Sequence, residues 1–456
     1  MRISTSMIFN SGVNTINSKT ANLLHTQQQV SLGRRMVTAA DDPVAAARAL
    51  EVQQSANVNT QQATNLDNAK SALGLEESQL SSVNDLVANI RTLVVKAGNA
   101  TLSMSDRRSI ATELRSDYDQ LMTVANAADG SGKYLFSGYM GDTTPFGGTI
   151  DNINQAAGNE IGYYGDSGQR SLQVAATRNL PISDAGDDIF KRIRNGNGYF
   201  TTGFNPTNSG GGVIGAGSVL NPATYNNSTV KNVNVLFTVD TTVIPNKTYY
   251  DLVDATAGSA TSGTSLLTGQ TYTMPLTSSS APAAATSGQL RAFTDGQPIS
   301  LKSVAGDTTA FDLGSTLVIT GAPAQGDSFS TAPSTSQSIF KTIATVVNVL
   351  ETAVTATTSG SAALANNLGF ALTNLDQAND NILRVRAAVG SRLAEIDSLS
   401  STNQDVNLQY QSTLSNLQDL DYAKTITDLT RQQTDLQAAQ KSFVNVSQLS
   451  LFNYIQ

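Results

Sequence analysis

Few residues in this chain have a type and spacing that could carry chemistry. Asp41 and Asp42 form a carboxylate pair, and Pro43 follows it directly. An aspartate before proline and an Ala-rich segment is typical of a helix start, because the carboxylate accepts hydrogen bonds from the first free backbone N–H groups. We therefore predict that this pair begins a helix and does not form an acid–base site.

A second candidate is the glycine-rich segment 130–134, Gly-Ser-Gly-Lys-Tyr. A phosphate-binding loop needs a glycine where Ala127 stands and a hydroxyl residue where Tyr134 stands, so the motif fails at both positions. We predict a turn that leads into a short strand at 134–136.

The composition excludes most kinds of reactive site. The chain has no Cys, no Trp and one His, so it has no disulfide, no thiolate zinc site and no Cys nucleophile. His25 alone cannot form a His-based metal site, and Asp187-Asp188 lack the spacing of a calcium loop. No nucleophile, base and oxyanion donor occur together. We predict no catalytic residue, no cofactor and no metal, and hence not an enzyme.

The charge pattern also limits the partners. Charged residues make up 14% of the chain, against a typical value of about 25%, and the net charge is −8. An acidic chain lacks the footprint of a nucleic-acid-binding protein, and no run of about 18 apolar residues is present to span a membrane. The N-terminal segment also lacks the apolar core of a cleavable signal. Arg384, Arg386 and Arg392 form a basic cluster, which is either a solvated helix face or a contact between subunits.

Long helices are predicted to flank the chain and to position any surface it uses. Between Leu66 and Ala97 the seam positions recur at alternating spacings of three and four residues, and all of them except Glu76 are apolar. This pattern predicts a coiled-coil-like helix of roughly 50 Å that ends near Gly98. A second helix is expected to start after Ser105 as its N-cap. The helical-bundle seam consists of Leu66, Leu73, Leu80, Val83, Val87, Ile90 and Val94.

The two ends of the chain carry thinner apolar stripes. Polar residues interrupt these stripes, so we expect the two ends to pair with each other and to become ordered only within an assembly. The predicted subunit interface of the terminal helices consists of Val13, Ile16, Leu23, Val30, Ile426, Leu429, Leu436 and Phe443. The interrupting residues are Thr20, Gln27, Gln433 and Gln440.

The middle of the chain has a different composition. Every proline except Pro43 lies between Pro145 and Pro333, and 233–239 and 315–320 read as strands. The fold class is therefore predicted as α+β, with long paired terminal helices and a β-rich central insert of one or two domains. The predicted domains are a terminal helical core of 1–33 with 422–456, a helical bundle of 34–141 with 334–421, and the insert at 142–333.

Several segments, taken together and in order, resemble the flagellin superfamily of bacterial flagellar axial proteins, and most closely its hook–filament junction subfamily, hook-associated protein 3. Leu32 departs slightly from the superfamily, which usually has Ser or Thr before Gly33. The resemblance covers about 1–195 and 334–456. The matching segments are 1–5, 30–37 leading into Asp41-Asp42-Pro43, 101–103 with Asp106-Arg107, 132–139, 164–170 and 386–393.

The resemblance implies a structural subunit that forms the adaptor ring at the hook–filament junction, exported unfolded through the flagellar type III apparatus to the outside of the cell. The implied partners are other copies of the chain, hook-associated protein 1, flagellin and a cytoplasmic export chaperone. The alternatives are flagellin itself or a minor filament subunit and, more distantly, a surface adhesin on a coiled-coil stalk. Copy number distinguishes a filament subunit from a ring.

Overall fold

The computed structural model describes residues 5–154, 159–256, 262–274, 276, 281, 290–353 and 356–452. The chain divides into two compact units. The smaller unit consists of the residues up to Asn68, Gln173–Arg178 and the residues from Glu395 onward, and the larger unit consists of Ala69–Leu172 and Asn179–Ala394. The motif residues 1–4 and the predicted helical residues 453–456 lie outside the described residues.

Long helices occupy both ends of the chain and strands occupy its middle, which confirms the predicted α+β class with a β-rich centre. The helices are α1 (Thr5–Leu32), α2 (Pro43–Ala97), α3 (Met104–Ala125), α4 (Ile150–Asn154), a π-helix (Asp187–Lys191), α5 (Pro222–Asn227), α6 (Ile339–Thr352), α7 (Thr358–Gln418) and α8 (Tyr422–Phe452). The strands are β1 (Phe146–Gly147), β2 (Gly162–Tyr163), β3 (Ser171–Ala175), β4 (Arg178–Pro181), β5 (Ile193–Arg194), β6 (Phe200–Phe204), β7 (Val213–Ile214), β8 (Ser218–Val219), β9 (Val233–Asp240), β10 (Lys247–Asp254), β11 (Ser262–Ser265), β12 (Thr271–Thr273), β13 (Arg291–Ala292), β14 (Pro298–Lys302), β15 (Asp312–Thr320), β16 (Ser328–Pro333) and β17 (Ser336–Gln337).

Helix starts follow from local capping. The Oδ1 atom of Asp42 accepts the N–H of Ala45 at 3.0 Å, and α2 begins at Pro43, so the predicted helix start is confirmed. The predicted cap at Ser105 is wrong. The N-cap of α3 is Ser103, whose hydroxyl and backbone exchange hydrogen bonds with Asp106 in a capping box.

The apolar face of α2 is closed within the larger unit. The seam side chains of α2 in this unit are no more than 1% exposed. Two ion pairs show that α7 runs antiparallel to α2: Arg386 lies 2.6 Å from Glu77, and Asp376 lies 2.7 Å from Arg91. These seam residues are Leu73, Leu80, Val83, Val87, Ile90 and Val94.

An aromatic core joins α3 and α6 to the loops between them. The ring centroids of Tyr118 and Phe340 lie 5.5 Å apart, and Phe136 meets Phe190 edge-on at the same distance. The predicted strand at 134–136 is wrong, because Tyr134 forms only an isolated bridge with Ala128. The apolar side chains at 135 and 136 are buried in this core and do not belong to a sheet.

The β-rich part of the larger unit contains two main sheets. A seven-stranded sheet has the order β12-β11-β10-β9-β16-β6, with β13 also paired to β10, and a four-stranded sheet has the order β14-β15-β7, with β8 also on β15. Both sheets contribute side chains to one core, among them Phe237, Leu252, Leu317 and Phe329. The strands predicted at 233–239 and 315–320 are confirmed as parts of β9 and β15.

The chain enters and leaves these sheets through one antiparallel pair, β5 with β17. Asn195 stabilises this crossing, because its side chain accepts the N–H of Thr335 at 2.8 Å and its carbonyl accepts the hydroxyl of Ser334 at 2.7 Å. The segment before β5, which the sequence assigned to the insert from residue 142, contributes Phe146 and Phe190 to the aromatic core.

Candidate subunit interface

The predicted interface residues of the terminal helices lie in the smaller unit, where α1 packs against α8. The side chains of seven of them are only partly buried in the single chain. These seven are Val13, Ile16, Leu23, Val30, Leu429, Leu436 and Phe443. Ile426 differs from them because 50% of it remains exposed. The single chain therefore leaves the terminal stripes incompletely covered.

The contacts between α1 and α8 show that the helices are antiparallel. The rings of Phe9 and Phe443 lie 5.1 Å apart, and Lys19 Nζ lies 2.9 Å from Asp435 Oδ2. A Cβ atom on Gly12 would come within 2.5 Å of the Phe443 ring, so the absence of a side chain at Gly12 allows this close approach. The hydroxyl of Thr26 donates to the Gln432 side chain at 3.0 Å.

The segment that connects α1 to α2 is hydrogen-bonded to the C-terminal end of α7. Gly33 adopts a φ of 65°, and the backbone N–H of Arg35 donates to the carbonyl of Gln418 at 2.7 Å. The Arg35 guanidinium also donates to the Leu417 carbonyl at 2.9 Å. This conformation explains why the chain has glycine at 33, where a side chain would be strained.

Asp41 organises the same connection. Its carboxylate accepts the backbone N–H groups of Thr38 and Val37, each at 2.8 Å, and lies 3.1 Å from His25 Nε2. The pKa of the Asp41 carboxyl lies below its ordinary value. The main cause is the hydrogen bond from the N–H of Thr38, and the hydrogen bonds from Val37 and His25 add to it. His25 and Asp41 therefore stabilise a turn and do not form an acid–base pair.

A buried polar pair joins α2 and α7 within the smaller unit. Each of Asn59 and Asn403 donates its side-chain N–H to the other's carbonyl at 3.0 Å, and both are at most 9% exposed. Asn59 lies seven residues before Leu66 and Asn403 seven residues after Ile396, so both occupy seam positions. The sequence interpretation missed this pair, although heptad spacing could have identified it. A buried Asn pair of this kind favours one register of the helices.

The smaller unit carries more of the exposed large apolar side chains of the described residues than the larger unit does. On α8, Tyr422, Ile426 and Val444 are each about half exposed. On the long helices Leu50 is 72% and Leu408 64% exposed. The exposed apolar residues of the smaller unit are Met7, Ile8, Phe9, Leu24, Leu32, Val44, Leu50, Val58, Leu408, Tyr422, Ile426, Val444 and Val446.

A groove of about 460 Å³ opens on the same unit, between α2, α7 and the 174–176 turn. Apolar Val58, Val406 and Tyr410 line it together with polar side chains of both helices. The lining contains no cluster of titratable groups, which fits protein contact better than catalysis.

The basic cluster on α7 is paired within its own unit. Arg386 bonds Glu77 at 2.6 Å, Arg392 bonds Asp184 at 2.9 Å and Arg384 bonds Asn381 at 2.7 Å. These contacts hold α7 to elements of the same chain, and the suggested contact between subunits is not needed to explain them.

The other candidates of the sequence also have structural partners. Asp129 directly precedes the glycine-rich segment, and its Oδ1 accepts the N–H groups of Ser131 and Lys133 at 2.9 and 3.0 Å. The Asp129 carboxylate therefore occupies backbone N–H groups that would have to bind the oxygens of a phosphate. Among the described residues, no group of His, Asp and Glu is arranged to hold a metal ion, and no helix is long and apolar enough to cross a membrane.

Comparison with known proteins shows which family the N-terminal helices resemble. Residues 3–140 match the bacterial flagellin N-terminal helical region. The match spans α1, α2 and α3 and less than half of the chain, so the N-terminal helical part is similar to that of bacterial flagellins.

The chain is also similar to flagellar hook-associated protein 3 of Salmonella typhimurium, with 37% identity over 193 residues. That match covers 42% of this chain and 58% of the relative, so it spans less than two thirds of the relative's length. The fold is similar to that of the flagellar junction protein FlgL from Legionella pneumophila, with a TM-score of 0.65, 27% identity, and coverage of 82% of this chain and 100% of that one. FlgL of Xanthomonas campestris is also similar, with a TM-score of 0.62, 27% identity, and coverage of 80% and 99%.

Proposed function

We propose that this chain is a structural subunit of the bacterial flagellum that forms the adaptor ring at the hook–filament junction. The observation that supports this most directly is the set of exposed apolar side chains on the helices of the smaller unit. Such side chains need cover from other copies or from neighbouring proteins. The similarity to hook-associated protein 3 and to a flagellar junction protein supports the same assignment.

The mechanism is mechanical and depends on the terminal segments 1–33 and 422–456. In the single chain the predicted interface side chains on these segments are incompletely buried, so the helices gain burial when neighbouring copies cover them. The partners proposed for the two sides of the ring are hook-associated protein 1 and flagellin. The bundle of 34–141 with 334–421 supports the ring, and the sheets of the insert at 142–333 are presented outward.

Export and location follow from the same proposal. The subunit leaves the cell unfolded through the flagellar type III apparatus, after binding a cytoplasmic chaperone, and assembles outside the cell. A chain without Cys suits this route, because no thiol can mispair in an oxidising environment.

A complementation experiment in a strain that lacks this gene tests the proposal. Ile426→Glu places a charge on a side chain that is half exposed in the single chain, so the monomer should still fold while filaments fail to form on completed hooks. Ser442→Glu on the same helix is the matched control, because helical spacing places it about 160° away, and it should restore motility. Normal filaments with Ile426→Glu would contradict the proposed interface.

Copy number separates the ring from a filament subunit. Quantitative immunoblotting of purified hook–filament structures should find about one ring of this chain per flagellum. Thousands of copies along each filament would instead identify it as flagellin.

A further inference from the structure

One carboxyl group of the larger unit is buried in the otherwise apolar seam. Glu76 is 2% exposed, and its Oε1 atom accepts the backbone N–H of Asp184 at 3.0 Å. Its Oε2 atom is buried and has no hydrogen-bond partner among the described residues. A bare carboxylate in this position would leave half of its charge unsolvated, which is costly, whereas a protonated carboxyl is neutral.

Three charged groups act on Glu76, one carboxylate and two guanidinium groups. Asp184 faces it from the segment between β4 and the π-helix, and Arg392 of α7 is already engaged with both oxygens of Asp184 at 2.9 and 3.0 Å. Gln169 donates to the same carboxylate at 2.6 Å, and Arg170 is the remaining charged neighbour. Burial, and next the negative charge of Asp184, raise the pKa of Glu76 to about 8.

The N–H that Glu76 accepts belongs to a short segment, 182–186, which we call the strap. The strap is fixed at one end by the N–H of Ile182 to the Arg170 carbonyl at 2.8 Å. Its other end is fixed by the N–H of Gly186 to the Phe136 carbonyl at 2.9 Å. Glu76 binds the middle of the strap from α2.

We propose that protonated Glu76 is a proton-dependent latch that holds the strap against α2 and weakens this contact in alkaline solution. Ionisation places a second negative charge beside Asp184, and Arg392 cannot neutralise both. Either the strap then separates from α2, or Arg392 gives up part of its contact with Asp184 to pair with Glu76 as well. In either case the larger unit loses stability.

The direction of the pH dependence follows from the raised pKa. In the unfolded chain Glu76 titrates near its ordinary value of 4.5, and in the folded chain near 8, so unfolding releases a proton between these values. The contribution of Glu76 to stability is therefore largest below about pH 4.5, declines as the pH rises and is fully lost above about pH 8.

Thermal unfolding of the purified chain and of the Glu76→Gln variant between pH 6 and 9 tests the latch. Glutamine keeps the oxygen that accepts the Asp184 N–H but cannot ionise. The melting temperature of the wild type should fall by roughly 5 °C relative to Glu76→Gln over this range. Glu77→Gln, which changes the neighbouring carboxylate paired with Arg386, should follow the wild type. Parallel pH curves for wild type and Glu76→Gln would overturn the proposal.

A second measurement does not require the variant to fold. In wild-type protein labelled with carboxyl-13C glutamate, one resonance, that of Glu76, should titrate near pH 8. If every folded-state glutamate resonance titrates below pH 6, Glu76 is ionised at neutral pH and the latch does not exist.

Discussion

The terminal helix pair and the seam of α2 in the larger unit are both helical and antiparallel to a partner, but they bury their apolar side chains very differently. Leu73, Leu80 and Ile90 are fully buried within one chain. The interface residues of α1 and α8 are only partly buried, and Ile426 is 50% exposed. The seam is complete in the monomer, whereas the terminal pair leaves apolar side chains partly exposed.

The polar residues that interrupt the apolar stripes of the two terminal helices explain why these helices are less completely buried than the seam. Gln27, Gln433 and Gln440 are exposed. The hydroxyl of Thr20 donates to the carbonyl of Ile16 in the same helix. Lys19 and Asp435 add an ion pair that is about 40% exposed, and exposed pairs contribute at most about 1 kcal/mol. The terminal pair is therefore expected to be marginally stable alone, and the four predictions below test this contrast.

Leu80→Ala should have the largest effect. It removes a fully buried side chain from the seam, and such changes cost roughly 2–5 kcal/mol. Leu50→Ala makes the same change on the same helix where the side chain is 72% exposed, and it should cost less than about 0.5 kcal/mol. Urea unfolding of both variants measures the difference, and equal losses would show that the seam is not the stabilising core.

Asn403→Ala should be next in size. It leaves the buried Asn59 amide without its partner, which costs roughly 1–3 kcal/mol. The double variant Asn59→Leu with Asn403→Leu should recover stability but permit other registers, which cross-linking between cysteines introduced on α2 and α7 would detect. If the single change is neutral and the double variant keeps one register, the pair does not select the register.

Phe443→Ala should destabilise the monomer by about 1 kcal/mol or less, because the ring is only partly buried against Phe9 and Gly12. Ring assembly, scored by filament growth in complemented cells, should nevertheless fail. Val444→Ala, at a neighbouring half-exposed position, controls for helix propensity in the monomer melt. A monomer loss as large as that of Leu80→Ala would indicate that the terminal pair is a completed core.

Lys19→Ala should have the smallest effect. The ion pair with Asp435 is exposed, so its loss should cost about 0.5 kcal/mol or less and should vanish in high salt. Urea unfolding at low and high salt measures this cost. A loss of stability well above about 1 kcal/mol that persists in high salt would show that Lys19 contributes more to the α1–α8 contact than an exposed ion pair does.

The helical frame could be predicted because its signal is local and repeated. The heptad spacing at Leu73, Leu80 and Val87 specifies both a helix and its buried face, and Asp42-Pro43 marks a helix start by capping alone. The cap at Ser103 was misplaced to Ser105 because both are serines, and only the partner three residues later, Asp106, distinguishes them.

The features that were missed depend on distant residues. The apolar residues at 135–136 read as a strand, but Phe136 packs on Phe190, more than fifty residues later in the chain. Asn59 and Asn403 read as ordinary polar residues because each one's partner lies on another helix. The sheet order likewise depends on pairings such as β16 with β6 and β9, which no local pattern contains.

Hydrogen exchange of the purified monomer tests the central claim most directly. If the terminal pair is completed only by assembly, the amides of α1 and α8 should exchange much faster than those at 69–97 in a verified monomer, and they should become protected in isolated hook–filament junctions. Equally strong protection of α1, α8 and 69–97 in the monomer would mean that the ends fold alone. The assembly-coupled account of this subunit would then be contradicted.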